Sequence, residues 1–95
     1  MAGLRWTAEA ESSLREIYNH IAQNRPATAR RTLESILNKA ESLREAPRLG
    51  QAYRHSSRHG VRILTYGQFQ IAFLQRDDAI IILGVFHGLI FLPLQ

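Results

Sequence analysis

The chain has 95 residues and no cysteine, which leaves room for one domain spanning residues 1–95 with a thin core, and excludes a disulfide framework, a thiolate zinc site and a cysteine nucleophile. Twelve basic residues against eight acidic ones give a net charge of +4 and a pI near 10.3. All but one of the twelve are arginine, whose planar fork favours partners that carry carboxylate or phosphate groups.

Leu4-Arg5-Trp6 reads as a short first strand, and Thr7 as the N-cap of a first helix because its hydroxyl can accept from an unpaired amide of the opening turn. Glu9 and Glu11 suit the positive end of that helix. Ala10, Leu14, Ile17, Tyr18 and Ile21 recur at helical spacing and form one apolar stripe. The Asn24-Arg25 step ends the helix, and Pro26 fits the first turn of a second, where its missing amide costs nothing. Ala29, Leu33, Ile36, Leu37, Ala40 and Leu43 carry a second stripe on to Ala46-Pro47. Both stripes are expected to face the same sheet, with Trp6 and Tyr18 packed in the core or within the hairpin. A loop is expected from Arg48 to about Ala52.

Tyr53 to Ser57 could form a short edge strand, and Val61 to Tyr66 makes a better one. Gly67-Gln68 turns the chain into a strand over Phe69 to Gln75, and Arg76-Asp77-Asp78 turns it again. Ala79 to Phe86 shows no alternation, which predicts a strand buried on both faces and lying inside the sheet. The apolar run to Leu94 is shorter than the roughly 20 residues that a membrane span needs. It is also broken by His87-Gly88 and Pro93. The N-terminus carries no apolar signal segment, so a cytoplasmic protein without a membrane partner is expected. The predicted fold class is α+β: an N-terminal strand and a two-helix hairpin packed on one face of a small, mostly antiparallel sheet.

The candidate chemistry gathers around Arg54, His55, Arg58, His59 and Arg62. On an extended backbone Arg54, Arg58 and Arg62 would share a face at about 13 Å intervals, a charged stripe too sparse for a catalytic cluster. The four-residue spacing of His55 and His59 suits a helix rather than a strand, and no carboxylate lies near them, so no metal or cofactor is expected. Tyr53 and Tyr66, interleaved with these arginines, form too loose a pattern to indicate direct nucleic-acid binding. His87, at the end of the central strand, fits either a hydrogen-bonded structural residue or a general base. Leu89-Ile90-Phe91-Leu92 forms an apolar segment that either folds back on the sheet or is covered by a partner.

Taken together and in order, these pieces resemble the ParE/RelE superfamily of type II toxin–antitoxin toxins, closest to the ParE, or plasmid-stabilisation, branch. The resemblance rests on Leu4 to Thr7, Leu14 to Tyr18, Ile21-Ala22, Pro26-Ala27, Ala29 to Arg31, Leu43, Pro47, Gly50, Val61-Arg62, Phe69 to Phe73, Ile80 to Val85 and His87-Gly88. It implies a toxin that inhibits DNA gyrase, and so replication, by protein binding, with no catalytic residue and with a cognate antitoxin as inhibitor. Arg30, Arg31, Arg54 and Arg58 are then the expected ion pairs to an acidic, apolar antitoxin segment, and Leu89, Ile90, Phe91 and Leu92 the target or partner interface. A homodimer or a hetero-oligomer with antitoxin is compatible with this reading. The RelE branch implies instead a ribosome-dependent mRNA endoribonuclease, for which Arg54, Arg58, Arg62 and Arg76 would hold phosphate and His55, His59 or His87 would move a proton. The segment after His87-Gly88, where that branch places a basic or aromatic group that helps catalysis, has no Arg, Lys, Tyr or His, and it lacks the arginine usual in the family. That departure also leaves room for a non-toxic relative that only binds antitoxin.

Overall fold

The computed structural model describes residues 2–53 and 60–88. Strand β1 (Gly3–Trp6) leads into helix α1 (Ala8–Ala22), which is followed by α2 (Pro26–Glu41) and two single 3₁₀ turns at Ser42–Arg44 and Pro47–Leu49. Strands β2 (Gln51–Ala52), β3 (Arg62–Tyr66), β4 (Phe69–Arg76) and β5 (Ala79–His87) complete a five-stranded sheet in the order β1-β5-β4-β3-β2. The meander is antiparallel, and only β1 runs parallel to its neighbour, with Leu4 opposite Ile80 and Trp6 opposite Ile82. The apolar run of β5 therefore occupies the inside of the sheet, as its lack of alternation predicts.

Thr7 caps α1, its hydroxyl accepting from the Ala10 amide (3.1 Å). The same hydroxyl donates to the Ile82 carbonyl (3.0 Å), to which the Thr7 amide also donates (3.1 Å). The first helix is thus fastened to the central strand at the residue that starts it. A second tie lies a turn and a half further on. The register of β4 against β5 shifts between Ala72, which faces Gly84, and Phe73, which faces Ile82, so Leu83 is the extra residue of a bulge. Beyond it, the Val85 amide donates to the Ser13 hydroxyl (2.9 Å), which itself donates to the Ala10 carbonyl (2.9 Å).

The helical hairpin covers one face of the sheet. Ala10 and Leu14 of α1, Ile36 and Ala40 of α2, and Leu43 pack against Leu64, Ile71, Phe73, Ile80, Ile82 and Val85. On the other face Val61, Ile63, Ala72 and Leu74 form a second buried cluster with Tyr53, Ile81, Leu83 and Phe86, and no helical residue belongs to it. The central strands are therefore apolar on both faces, one facing the hairpin and the other this smaller cluster.

Three expectations need adjusting. The second helix stops at Glu41 rather than Ala46, and a 3₁₀ turn carries Leu43 inward beside Ala40, both fully buried. The expected loop at 48–52 holds a 3₁₀ turn and the two residues of β2. The edge pairing accordingly starts before Tyr53, at Gln51 opposite Ile63, and continues through the Tyr53 amide to the Val61 carbonyl (2.8 Å). The remainder of the anticipated Tyr53 to Ser57 strand lies outside the described residues. Gly50 sets this start: a Cβ there would come within 2.5 Å of the Phe73 ring, so only glycine lets the chain pass over the core at that point.

Candidate functional site

Among the described residues, two of the concave surfaces beside the helical hairpin join it to other elements. The first is an apolar groove of about 410 Å³ where the end of β1 meets the outer side of both helices. Trp6, Leu14, Tyr18, Leu33 and Leu37 line it, with Glu11 and Arg15 also on its wall. Leu37, which the apolar stripe assigns to the core, is 37% exposed. The stripe on α2 is wider than the sheet can cover, and its overhang becomes groove wall. Trp6 is half-buried and packs against the core from the groove side, whereas Tyr18 is half-buried in the wall itself.

The second surface, of about 450 Å³, lies at the tip of the hairpin against the ends of β4 and β5. His20 and Ile21 of α1, Asn24 and Arg25 of the helix connection, Thr28 and Thr32 of α2, and Gln68, Phe69 and His87 at the strand ends line it. His87 is exposed but held firmly: its ring stacks on Phe69 (centroids 5.0 Å, planes 26° apart), and its Nε2–H donates to Gln68 Oε1 (3.0 Å). Among the described residues, no carboxylate lines this cleft.

The expected antitoxin contacts Arg30 and Arg31 are both exposed on the first turns of α2. Arg30 precedes Leu33 and Leu37 at three- and seven-residue spacing, which places it on the groove side of the helix. Arg31 Nη2 donates to Thr28 Oγ1 (3.2 Å), on the side of the polar cleft. The one ion pair among the described residues joins Arg44 Nε to Glu41 Oε1 (3.0 Å), so neither Arg30 nor Arg31 is committed to an internal carboxylate. Arg54, Arg58, His55 and His59 lie outside the described residues, as do Leu89, Ile90, Phe91 and Leu92.

Among the described residues proposed for phosphate and proton handling, His87 stands apart from Arg62 and Arg76. Arg62 is half-buried, and its Nη2 donates to the Gly50 carbonyl, tying β3 to the approach of β2. Arg76 ends β4, where it pairs with Ala79, whereas His87 pairs with Phe69 at the opposite end of the same two strands. Seven residues separate the two ends of β4, about 23 Å of extended chain. The sequence reading missed Ser13, because nothing local marks a serine whose partner is 72 residues away. It also missed the joining of His20, Arg25 and His87 around one cleft, since the pairing of Phe69 with His87 is what brings the strand end to the hairpin tip.

Residues 4–89 match the ParE toxin family, described as the ParE toxin of the type II toxin–antitoxin system parDE. The chain is similar in structure to a component of the chromosomal ParDE toxin–antitoxin system from P. aeruginosa, with 28% identity, a TM-score of 0.78, and coverage of 93% of this chain and 97% of the other. It shares its fold with a chain of the RelBE2 toxin–antitoxin complex from Mycobacterium tuberculosis, at 23% identity and a TM-score of 0.69, over 90% of each chain. No curated protein sequence matches it. Among the described residues, no helix is long and apolar enough to cross a membrane.

Proposed function

The chain belongs to the ParE toxin family of type II toxin–antitoxin systems, and from that premise we propose that it acts by binding DNA gyrase rather than by cutting RNA. The observation that carries this choice is the separation, among the described candidates, of His87 from Arg62 and Arg76. Phosphoryl transfer from a ribose hydroxyl needs phosphate ligands and a proton-moving group within hydrogen-bond reach of one reacting centre. Arg76 and His87 stand at opposite ends of β4 and β5, and Arg62 is occupied in holding Gly50. A protein-binding toxin has no such requirement, and its surface can be spread over several elements.

The antitoxin partner is a matter of family. We assign it the groove lined by Trp6, Leu14, Tyr18, Leu33 and Leu37. An apolar segment would fill the groove, and acidic side chains on that segment would meet Arg15 and Arg30 at its margin. This matches the recognition mode in which an amphipathic segment lays its apolar face into a groove and sets its register by charge.

The test is to induce this chain alone in a bacterial host and to pulse-label DNA and protein synthesis in parallel. An early fall in DNA synthesis, together with retention of gyrase subunits on the immobilised chain, is expected. An earlier fall in protein synthesis with cleaved messages would replace this reading with the ribonuclease. No effect on either synthesis would identify a relative that binds antitoxin without being toxic.

A further inference from the structure

The polar cleft at the hairpin tip has no part in the gyrase or antitoxin reading, and its construction is specific. An exposed histidine ordinarily samples several rotamers. His87 is instead pinned from two sides, by the Phe69 ring beneath it and by the Gln68 amide oxygen at Nε2. The Gln68 main-chain carbonyl accepts from the Gly88 amide (2.6 Å), which holds the backbone beside His87 to the start of β4. With one ring face against Phe69, the exposed ring of His87 offers the cleft that it lines a flat, oriented platform.

The opposite wall supplies what such a platform lacks. Arg25, in the turn between the helices, has no carboxylate partner among the described residues, and Thr28 and Thr32 stand one turn apart on α2 as neighbouring hydroxyls. His20 and Asn24 add further donors, and no acidic side chain is present to repel an anion. A volume of about 450 Å³ lies within the roughly 300–1,000 Å³ range of small-ligand sites.

We propose that this cleft binds a mononucleotide, the base stacked on the open face of His87 and the phosphate held by Arg25 with the hydroxyls of Thr28 and Thr32. The pinned ring lowers the ordering cost of the stack, and the guanidinium offers the phosphate a two-pronged contact. The site is independent of which macromolecule the toxin attacks, so it stands or falls separately from the gyrase reading.

The experiment is a titration of the ¹⁵N-labelled full chain with AMP, followed by amide shifts. Saturable shifts centred on Thr28, Thr32, Phe69 and His87 are expected, with ribose 5-phosphate and adenosine each binding about tenfold more weakly, since each lacks one of the two contacts. Arg25→Ala and His87→Ala should each weaken AMP by about tenfold while leaving the amide spectrum beyond the cleft unchanged. A trinucleotide of adenine distinguishes the source of the ligand: tighter binding than AMP assigns the site to a strand end and equal binding to a free nucleotide, and either keeps it. Absence of saturation would overturn the proposal. So would equal affinity for AMP and inorganic phosphate, which would indicate an adventitious ion only, or shifts that persist unchanged in both variants.

Discussion

The Ser13 hydroxyl both accepts from Val85 and donates to Ala10, so it satisfies an amide that the bulge at Leu83 turns toward the helix. Ser13→Ala should lower unfolding stability by about 1–3 kcal/mol, the cost of leaving a partly buried donor unpaired. Urea denaturation checks this against Ser12→Ala, an exposed control on the same turn. Gly50→Ala acts by crowding. Its new methyl would meet the Phe73 ring at 2.5 Å, and overpacking of this kind costs about 1–3 kcal/mol. Arg62→Ala separates two roles on one side chain. Loss of its bond to the Gly50 carbonyl predicts a stability loss of about 1 kcal/mol whatever the target, and a ribonuclease would in addition lose message cutting. Of these residues, Thr7 is legible from sequence because an N-cap is a local pattern. Ser13 and Gly50 are not, because each is decided by a strand that is distant along the chain.

Helix α2 shows how far periodicity carries at the level of an element. Its stripe correctly places Ala29, Ile36 and Ala40 in the core, all fully buried. Spacing alone, however, cannot say where the sheet beneath the stripe ends, and so Leu37 falls on the rim of a groove. The same limit explains the early end of the helix, because a 3₁₀ turn keeps Leu43 in line with Ala40 as well as another α-helical turn would. If the groove receives the antitoxin, Leu37→Glu should weaken that complex by at least about tenfold, or ~1.4 kcal/mol, with little effect on the free toxin, as isothermal titration calorimetry would show. Arg30→Ala should weaken it less, and should flatten its dependence on salt, since exposed charge pairs are screened as ionic strength rises. An unchanged affinity in Leu37→Glu would move the antitoxin to another surface.

At the scale of the molecule, two apolar clusters share one thin sheet, and 16 apolar residues are buried among the described ones. A protein of this size sits close to the margin of stability. Its antitoxin, at a free concentration a hundredfold above Kd, should therefore add about 2.7 kcal/mol, enough to raise the melting temperature by about 10–20 °C at this chain length; a thermal scan of the complex against the free toxin tests it. The α+β architecture was legible because each strand and helix carries its own local pattern, whereas the two clefts were not, because they arise only where separate elements abut. The parallel pairing of β1 with β5 has a consequence for synthesis. Leu4 lies opposite Ile80, so the strand made first waits for one made near the end, about 4–15 s later at usual rates of translation. Until β5 has been made, a growing chain can close neither its sheet nor the cleft at His87. An antitoxin already present in that interval therefore meets a chain whose sheet has not yet closed.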